Sequence, residues 1–400
     1  MAVYLEVRGH FLLCESPSDP PCLNIDKYAT ITQYFDKRGI REEITLRVLT
    51  KVTTVAAVSA LLATPAIAQK TINLTAIDGY PPKASWVREF INFYIPAIDK
   101  ELAAKGNYKI QWNQAWSGQI AKTRHVLEGL QKGLGDIGIV TTVFHAGRVP
   151  LQNLSFVTPF VSADPVLSSR TMDEMAETFP EFKAAWKPFN QIYLTNGCVL
   201  DSYQMFTKEP INQLSDFEGK KIAGAGVNLR YLQGLGAAGV PGSLVSFYNK
   251  LKTGVVSGAM LWPEAVGQFK IVDVAPYMLK ADLGAACSKS ITVNADSWKK
   301  LPAEVQQALA KNAIGYRDQM STQALAKGKG AQENFVKAGG TVRVLSAEER
   351  TAWAKSMPNV AKEWAESLEE KGIPGKKILA AYMDKMRAAN QPIMRHWDRE

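Results

Sequence analysis

TINLTAIDGYPP, residues 71–82, sets the fold. Thr71, Ile72, Thr75 and Ile77 supply the β-branched run of a buried strand, and Gly79, Pro81 and Pro82 end it in a turn. An amphipathic helix is predicted over 86–105, a second strand at 109–115 (KIQWNQA), a second helix at 120–132, and a third strand at 136–143 (DIGIVTTV). Strand, helix, strand, helix, strand implies a parallel sheet covered on both faces. Ligands meet such sheets at the carboxyl ends of their strands, which singles out the loops at Gly79, Trp116 and Thr141.

Farther along, 191–208 (QIYLTNGCVLDSYQMFTK) is extended for longer than one strand needs and reads as a crossing between two lobes. A second series follows, with strands at 220–225 and 255–261, helices at 228–235 and 247–253, and extended segments at 274–280 and 285–294. Pro302 suits the first turn of a long helix to about 338. After the short strand TVRVLS come helices at 347–372 and 376–390. The fold class is therefore α/β, two lobes with crossing strands and long C-terminal helices. Lobe 1 is assigned to 69–200, with C-terminal helices returning to it, lobe 2 to 201–300, and a helical region spanning both lobes to 301–400.

Upstream, RVLTKVTTVAAVSALLATPAIAQ (47–69) has a basic start, a small-apolar run and Ala66-Ile67-Ala68, the pattern of an export signal cleaved near Ala68. Residues 46–68 are read as that signal. A signal must begin the chain, so residues 1–45, which show no helical or strand periodicity, read as a mis-annotated or disordered extension ahead of the true start. No stretch after the signal could span a membrane, so the mature chain is not membrane-embedded.

The whole chain has 400 residues and a formal net charge of +9. Residues 1–68 carry seven Lys/Arg and seven Asp/Glu, so the excess belongs to the later part, where Lys250, Lys252, Lys299, Lys300, Lys376 and Lys377 are spread among acids. A nucleic-acid surface needs clustered Arg and aromatics, which are missing, so no nucleic-acid partner is expected. Cys198 and Cys287 lack metal-ligand spacing. In an oxidising compartment they would pair, or else serve as two buried thiols.

Enzyme motifs are absent: there is no GxSxG, HExxH, P-loop or CxxC. The glycines of GVNLRYLQGLGAAG (226–239) do not have dinucleotide-binding spacing, and the carboxylates Asp136, Glu218, Glu264 and Asp273 show no pairing pattern. Of the four histidines only His145, in FHAGRVP after the third strand, is placed for chemistry, and loop histidines commonly only hydrogen-bond. No cofactor and no metal are expected.

Five motifs in order, GLQKGLGDIGIV (129–140), PLQNLSFVTPF (150–160), FTKEPINQLSDFEGKKIAGAG (206–226), YNKLKTGVVSGAMLWPEAVGQFKIVDVAPY (248–277) and VNADSWKKLPAEVQQAL (293–309), resemble the solute-binding subunit of tripartite ATP-independent periplasmic (TRAP) transporters, the DctP family. The resemblance implies a two-lobe periplasmic binding protein of type II-like fold, exported, that closes its lobes on a small, usually carboxylated, solute. It would deliver that solute to a permease of one small and one large membrane subunit, driven by ion gradients. The alternatives are the binding protein of an ATP-driven or other importer, and an exported two-lobe enzyme acting on small metabolites.

One departure from the family pattern stands out. Where the resemblance implies an arginine after the GKKI strand, this chain has Ala223, and the second cationic position holds Gln204. A bidentate guanidinium is the best donor for a desolvated carboxylate, so either Arg230 or Arg148 takes over or the solute is not an acid. Tyr80, Trp116 and Trp262 each follow a strand end, where they would sandwich a planar or aliphatic solute. Thr141, Thr142, Gln204 and the amides around Gly224 would add neutral hydrogen bonds, and Glu264 an acceptor.

Overall fold

The computed structural model describes residues 69–400 and, before them, two short strands, β1 (Leu5–Val7) and β2 (His10–Leu12). These pair antiparallel within the first of two units, Met1–Ile67. Strand pairing thus occurs inside the extension in which the sequence shows no periodicity. The export signal read at 46–68 lies outside the described residues.

The second unit, Ala68–Glu400, contains two sheets. The first has the order β4-β3-β5-β12-β6, built from β3 (Lys70–Ile77), β4 (Tyr108–Ala115), β5 (Ile137–Thr141), β6 (Gln191–Cys198) and β12 (Cys287–Asn294). β3 runs parallel to β4 and β5, as the alternating pattern requires, while β12 is antiparallel to both β5 and β6. The second sheet has the order β13-β11-β7-β10-β8-β9, from β7 (Gln204–Thr207), β8 (Lys221–Gly224), β9 (Ala238–Pro241), β10 (Gly258–Leu261), β11 (Tyr277–Lys280) and β13 (Thr341–Val344).

The extended stretch at 191–208 is two strands in two sheets, joined by 199–203. The chain returns through 281–286. This return moves 287–294 out of lobe 2, where the sequence reading put it, and into the sheet of lobe 1. Its antiparallel seat between β5 and β6 hides all eight residues, which a strand of mostly small and β-branched side chains accepts. At the crossing, Cys198 ends β6 directly opposite Cys287 at the start of β12, and their sulfurs are bonded.

A third connection is the helix Ala303–Lys337. It is tied to lobe 1 by Tyr316, whose hydroxyl donates to the Trp86 carbonyl (2.8 Å), and by Arg317, whose Nη1 lies 2.6 Å from Asp173 Oδ2. Toward its far end Phe335 packs edge-on against Phe206 of β7 in lobe 2. Pro358, in the turn after Ser356, divides the predicted helix 347–372 into Ala347–Ser356 and Val360–Glu369. Among the described residues no helix is long and apolar enough to cross a membrane.

Asp201 lies in the first crossing, its carboxylate against the long helix, where a Cβ on Gly328 would come within 2.3 Å of Oδ2. Burial pushes its carboxyl up to about 6; the Ser202 amide, 2.8 Å away, pulls it down, and the Asp282 charge raises it further. A raised carboxyl binds its proton more tightly folded than unfolded. Its contribution is therefore most favourable at low pH and is lost as pH rises through about 6. Asp201→Asn is expected to stabilise the protein at pH 8 by on the order of 1–2 kcal/mol and to leave it unchanged at pH 4, read from urea unfolding at both values.

Candidate functional site

The ends of β3, β5 and β12 in lobe 1 face β8, β10 and the helix Leu244–Lys252 in lobe 2, and an enclosed chamber lies between them. Tyr80, Trp86, Thr141, Ser288 and Lys289 line it from lobe 1; Leu244, Phe247, Met260 and Trp262 line it from lobe 2; Tyr203 comes from the crossing. Its free volume is ≈ 30 Å³, room for a water or two, so lining side chains would have to give way to an occupant the size of a ring.

Among the described residues Lys289 is the one charged side chain lining the chamber, and it is 3% exposed. The register seats it opposite Thr141 of β5, and its Nζ donates to Thr141 Oγ1 at 2.9 Å. A bulge in the β12–β6 pairing falls between Cys287 and Lys289, and both Ser288 and Lys289 reach the chamber there. The ammonium rests over Trp86, 3.8 Å from the ring centroid, and 4.7 Å from that of Tyr80. Trp86 in turn donates Nε1 to Asp78 Oδ2 (3.1 Å), while the Tyr80 amide donates to Oδ1 (2.8 Å). Asp78 is fully buried at the end of the opening strand. Burial pushes the Asp78 carboxyl up and the Lys289 ammonium down, and the attraction between the two opposes both shifts. Trp262 Nε1, across the chamber, is buried without a partner among the described residues.

Cations of lobe 1 reach acceptors of lobe 2 around this chamber. Arg124, stacked 4.2 Å over Phe144, donates Nη2 to the Gly242 carbonyl at 3.0 Å. Lys83 reaches the Gln268 carbonyl (3.4 Å) and lies over Phe269, and Arg88 stands 3.6 Å from Glu264. The backbones also meet: a Cβ on Gly226, at the start of the 3-10 turn Gly226–Leu232, would be 2.1 Å from the Val143 carbonyl oxygen.

Of the residues expected at the site, Tyr80, Thr141 and Trp262 line the chamber. Thr142 is buried beside it with an unpartnered hydroxyl. Trp116 is not in the lining: Ser117 and Gly118 turn left-handed, its Nε1 donates to Gln114 (3.1 Å), and its ring packs edge-on to Phe90. Gln204 is spent on the crossing, accepting from the amides of Ala281 and Asp282 and donating to Asp282 Oδ1. Ala223 is buried inside β8. Gly224 packs against Asn228 and Leu229, and its neighbour Ala225 is the one that reaches the chamber.

Neither proposed substitute arginine enters. Arg230 pairs with Glu363 (2.6 Å) at the surface, and Arg148 pairs with Glu128 within lobe 1. Glu264 lies in an outer groove with Arg88, Lys327 and Gln268. His145 is buried outside the chamber, and burial pushes its imidazole down to about 4. The sequence reading missed Lys289, Asp78, Trp86 and Tyr203. A signal for the first was present: Lys289 is the sole charged residue between Asp282 and Asp296, inside a strand pattern, and a buried charge is costly unless it has a purpose.

Two α/β sheets joined by crossing strands, with a closed aromatic chamber between them, define a two-lobe solute-binding protein. The chain matches the family described as bacterial extracellular solute-binding protein, family 7 (DctP), over residues 97–394, and it belongs to that family. It is 25% identical over 348 residues to the C4-dicarboxylate-binding periplasmic protein DctP of Rhodobacter capsulatus, covering 84% of this chain and 99% of that one. It is 24% identical over 275 residues to the ectoine-binding periplasmic protein TeaA of Halomonas elongata, covering 64% of this chain and 75% of that one. Among solved structures it superposes, with a TM-score of 0.70 and 20% identity, on a TRAP solute-binding protein of an unidentified marine microbe specific for aromatic acid ligands, crystallised with 3-hydroxybenzoate; 80% of this chain and 99% of that one are covered.

Proposed function

We propose that the protein is the periplasmic receptor of a TRAP transporter, enclosing a small organic solute, a carboxylate or aromatic acid, between its lobes and delivering it to the small and large membrane subunits of the permease. The observation that carries this reading is the chamber itself, set between two sheets and lined by aromatic rings. The family supports it, as do the organic solutes of the relatives. The crossings at 199–203 and 281–286 would act as the hinge, and the lobe-to-lobe contacts of Arg124, Lys83 and Arg88 would distinguish the closed form for the permease. Export by the signal at 46–68, with cleavage near Ala68, follows from the same reading.

A thermal-shift series with benzoate, 3-hydroxybenzoate, mandelate, pyroglutamate, succinate and ectoine tests it. At least one is expected to raise the melting temperature in a concentration-dependent manner and to be recovered unchanged after long incubation. No shift with any of them, together with no small molecule co-purifying from the periplasm, would remove the receptor reading; chemical conversion would point to an enzyme.

A further inference from the structure

Burying an ammonium in a strand of small and β-branched side chains is costly, and the fold does not need it: Ser288, Ser290, Ile291, Thr292 and Val293 fill the same strand without charge. Lys289 nevertheless faces the chamber, with three protons to donate and one hydrogen bond found for them, to Thr141. Asp78 attracts it from beyond the Trp86 ring, and among the described residues no salt bridge joins the two. The arginines that might have served are committed elsewhere, Arg124 to the Gly242 carbonyl, Arg148 to Glu128 and Arg230 to Glu363.

We propose that Lys289 is the solute anchor of the chamber, taking the single carboxylate of a flat, largely apolar monocarboxylate whose body lies among Tyr80, Trp86, Tyr203 and Trp262. This rests on the receptor reading above. The body is flat and largely apolar because, apart from the Thr141 and Ser288 hydroxyls beside Lys289, the walls are rings and aliphatic side chains from both lobes. The carboxylate is single because the chamber lining offers one cation, and a second carboxylate would be desolvated without a partner and repelled by Asp78. A lysine is a point charge with no fork to match, so the rings, rather than the cation, orient the solute.

Isothermal titration of the full chain with benzoate, benzamide and succinate tests the anchor. Benzoate is expected to bind at least ~30-fold more tightly than either of the others, the range a charge-assisted bond supplies. Lys289→Met should weaken benzoate by a similar factor and leave benzamide within about threefold, whereas Lys289→Arg keeps benzoate within about tenfold. Should Lys289→Met not fold, the benzoate-to-benzamide ratio of the unaltered protein decides by itself. Equal binding of benzamide or succinate, no benzoate binding, or undiminished benzoate binding by Lys289→Met overturns the anchor. The receptor reading falls only if, in addition, no solute shifts the melting temperature and none co-purifies.

Discussion

Gly226→Ala is expected to fold and yet to lose ~10–100-fold in affinity for any acid that stabilises the unaltered protein. The added carbon would sit 2.1 Å from the Val143 carbonyl oxygen, a contact between the lobes. Overpacking of this kind costs roughly 1–3 kcal/mol, and here the cost falls on the closed arrangement. Affinity drops by the fraction of molecules able to close. Gly226 has φ +64°, so the substitution also strains the backbone in every state. Gly254→Ala isolates that contribution: its φ is +73° and nothing lies within 4 Å of the added carbon, so it should lower stability and leave affinity unchanged. Titration calorimetry on both variants checks this; equal affinities for the two would show that the Gly226 seam does not control closure.

Arg317→Met is expected to give the largest loss of stability, about 3–5 kcal/mol, with solute affinity retained. Asp173 is buried and receives Arg317 Nη1 (2.6 Å), Thr195 Oγ1 (2.6 Å), Tyr193 Oη (2.8 Å) and the Asn196 amide (3.2 Å). Together these bonds join the long helix, β6 and the helix Pro165–Thr178. Without the guanidinium, the carboxylate is left buried without its cation. The melting temperature should fall by roughly 5–10 °C, and Asp173→Asn in the same chain should restore part of the loss. A fall of a degree or less in calorimetry would mean that the Asp173 cluster does not brace lobe 1.

Much of the architecture was readable because it is written locally. The β-branched runs at 71–78 and 136–143 and the N-terminal proline of the long helix each carry their own signal, and the crossing at 191–208 was legible from its length. Pairing between distant segments is not local, so nothing in 287–294 itself says that it returns to the first sheet. The site divided in the same way. Tyr80 and Trp262 sit beside turn residues at strand ends and both line the chamber, whereas Trp116, in the same situation, is turned away by the left-handed Ser117 and Gly118. The cation was sought among arginines on helices and loops, because carboxylates favour guanidinium. It stands instead on a strand interior, where only the register against Thr141 aims it.

The bond between Cys198 and Cys287 fastens the outgoing and returning segments at the point where both leave lobe 1. If the lobes swing as the receptor reading requires, the motion is absorbed beyond that rivet, in the few residues on its lobe 2 side. Reducing conditions would leave the two segments free to splay independently, so reduced and oxidised protein should differ in how tightly they hold any solute that the receptor reading calls for.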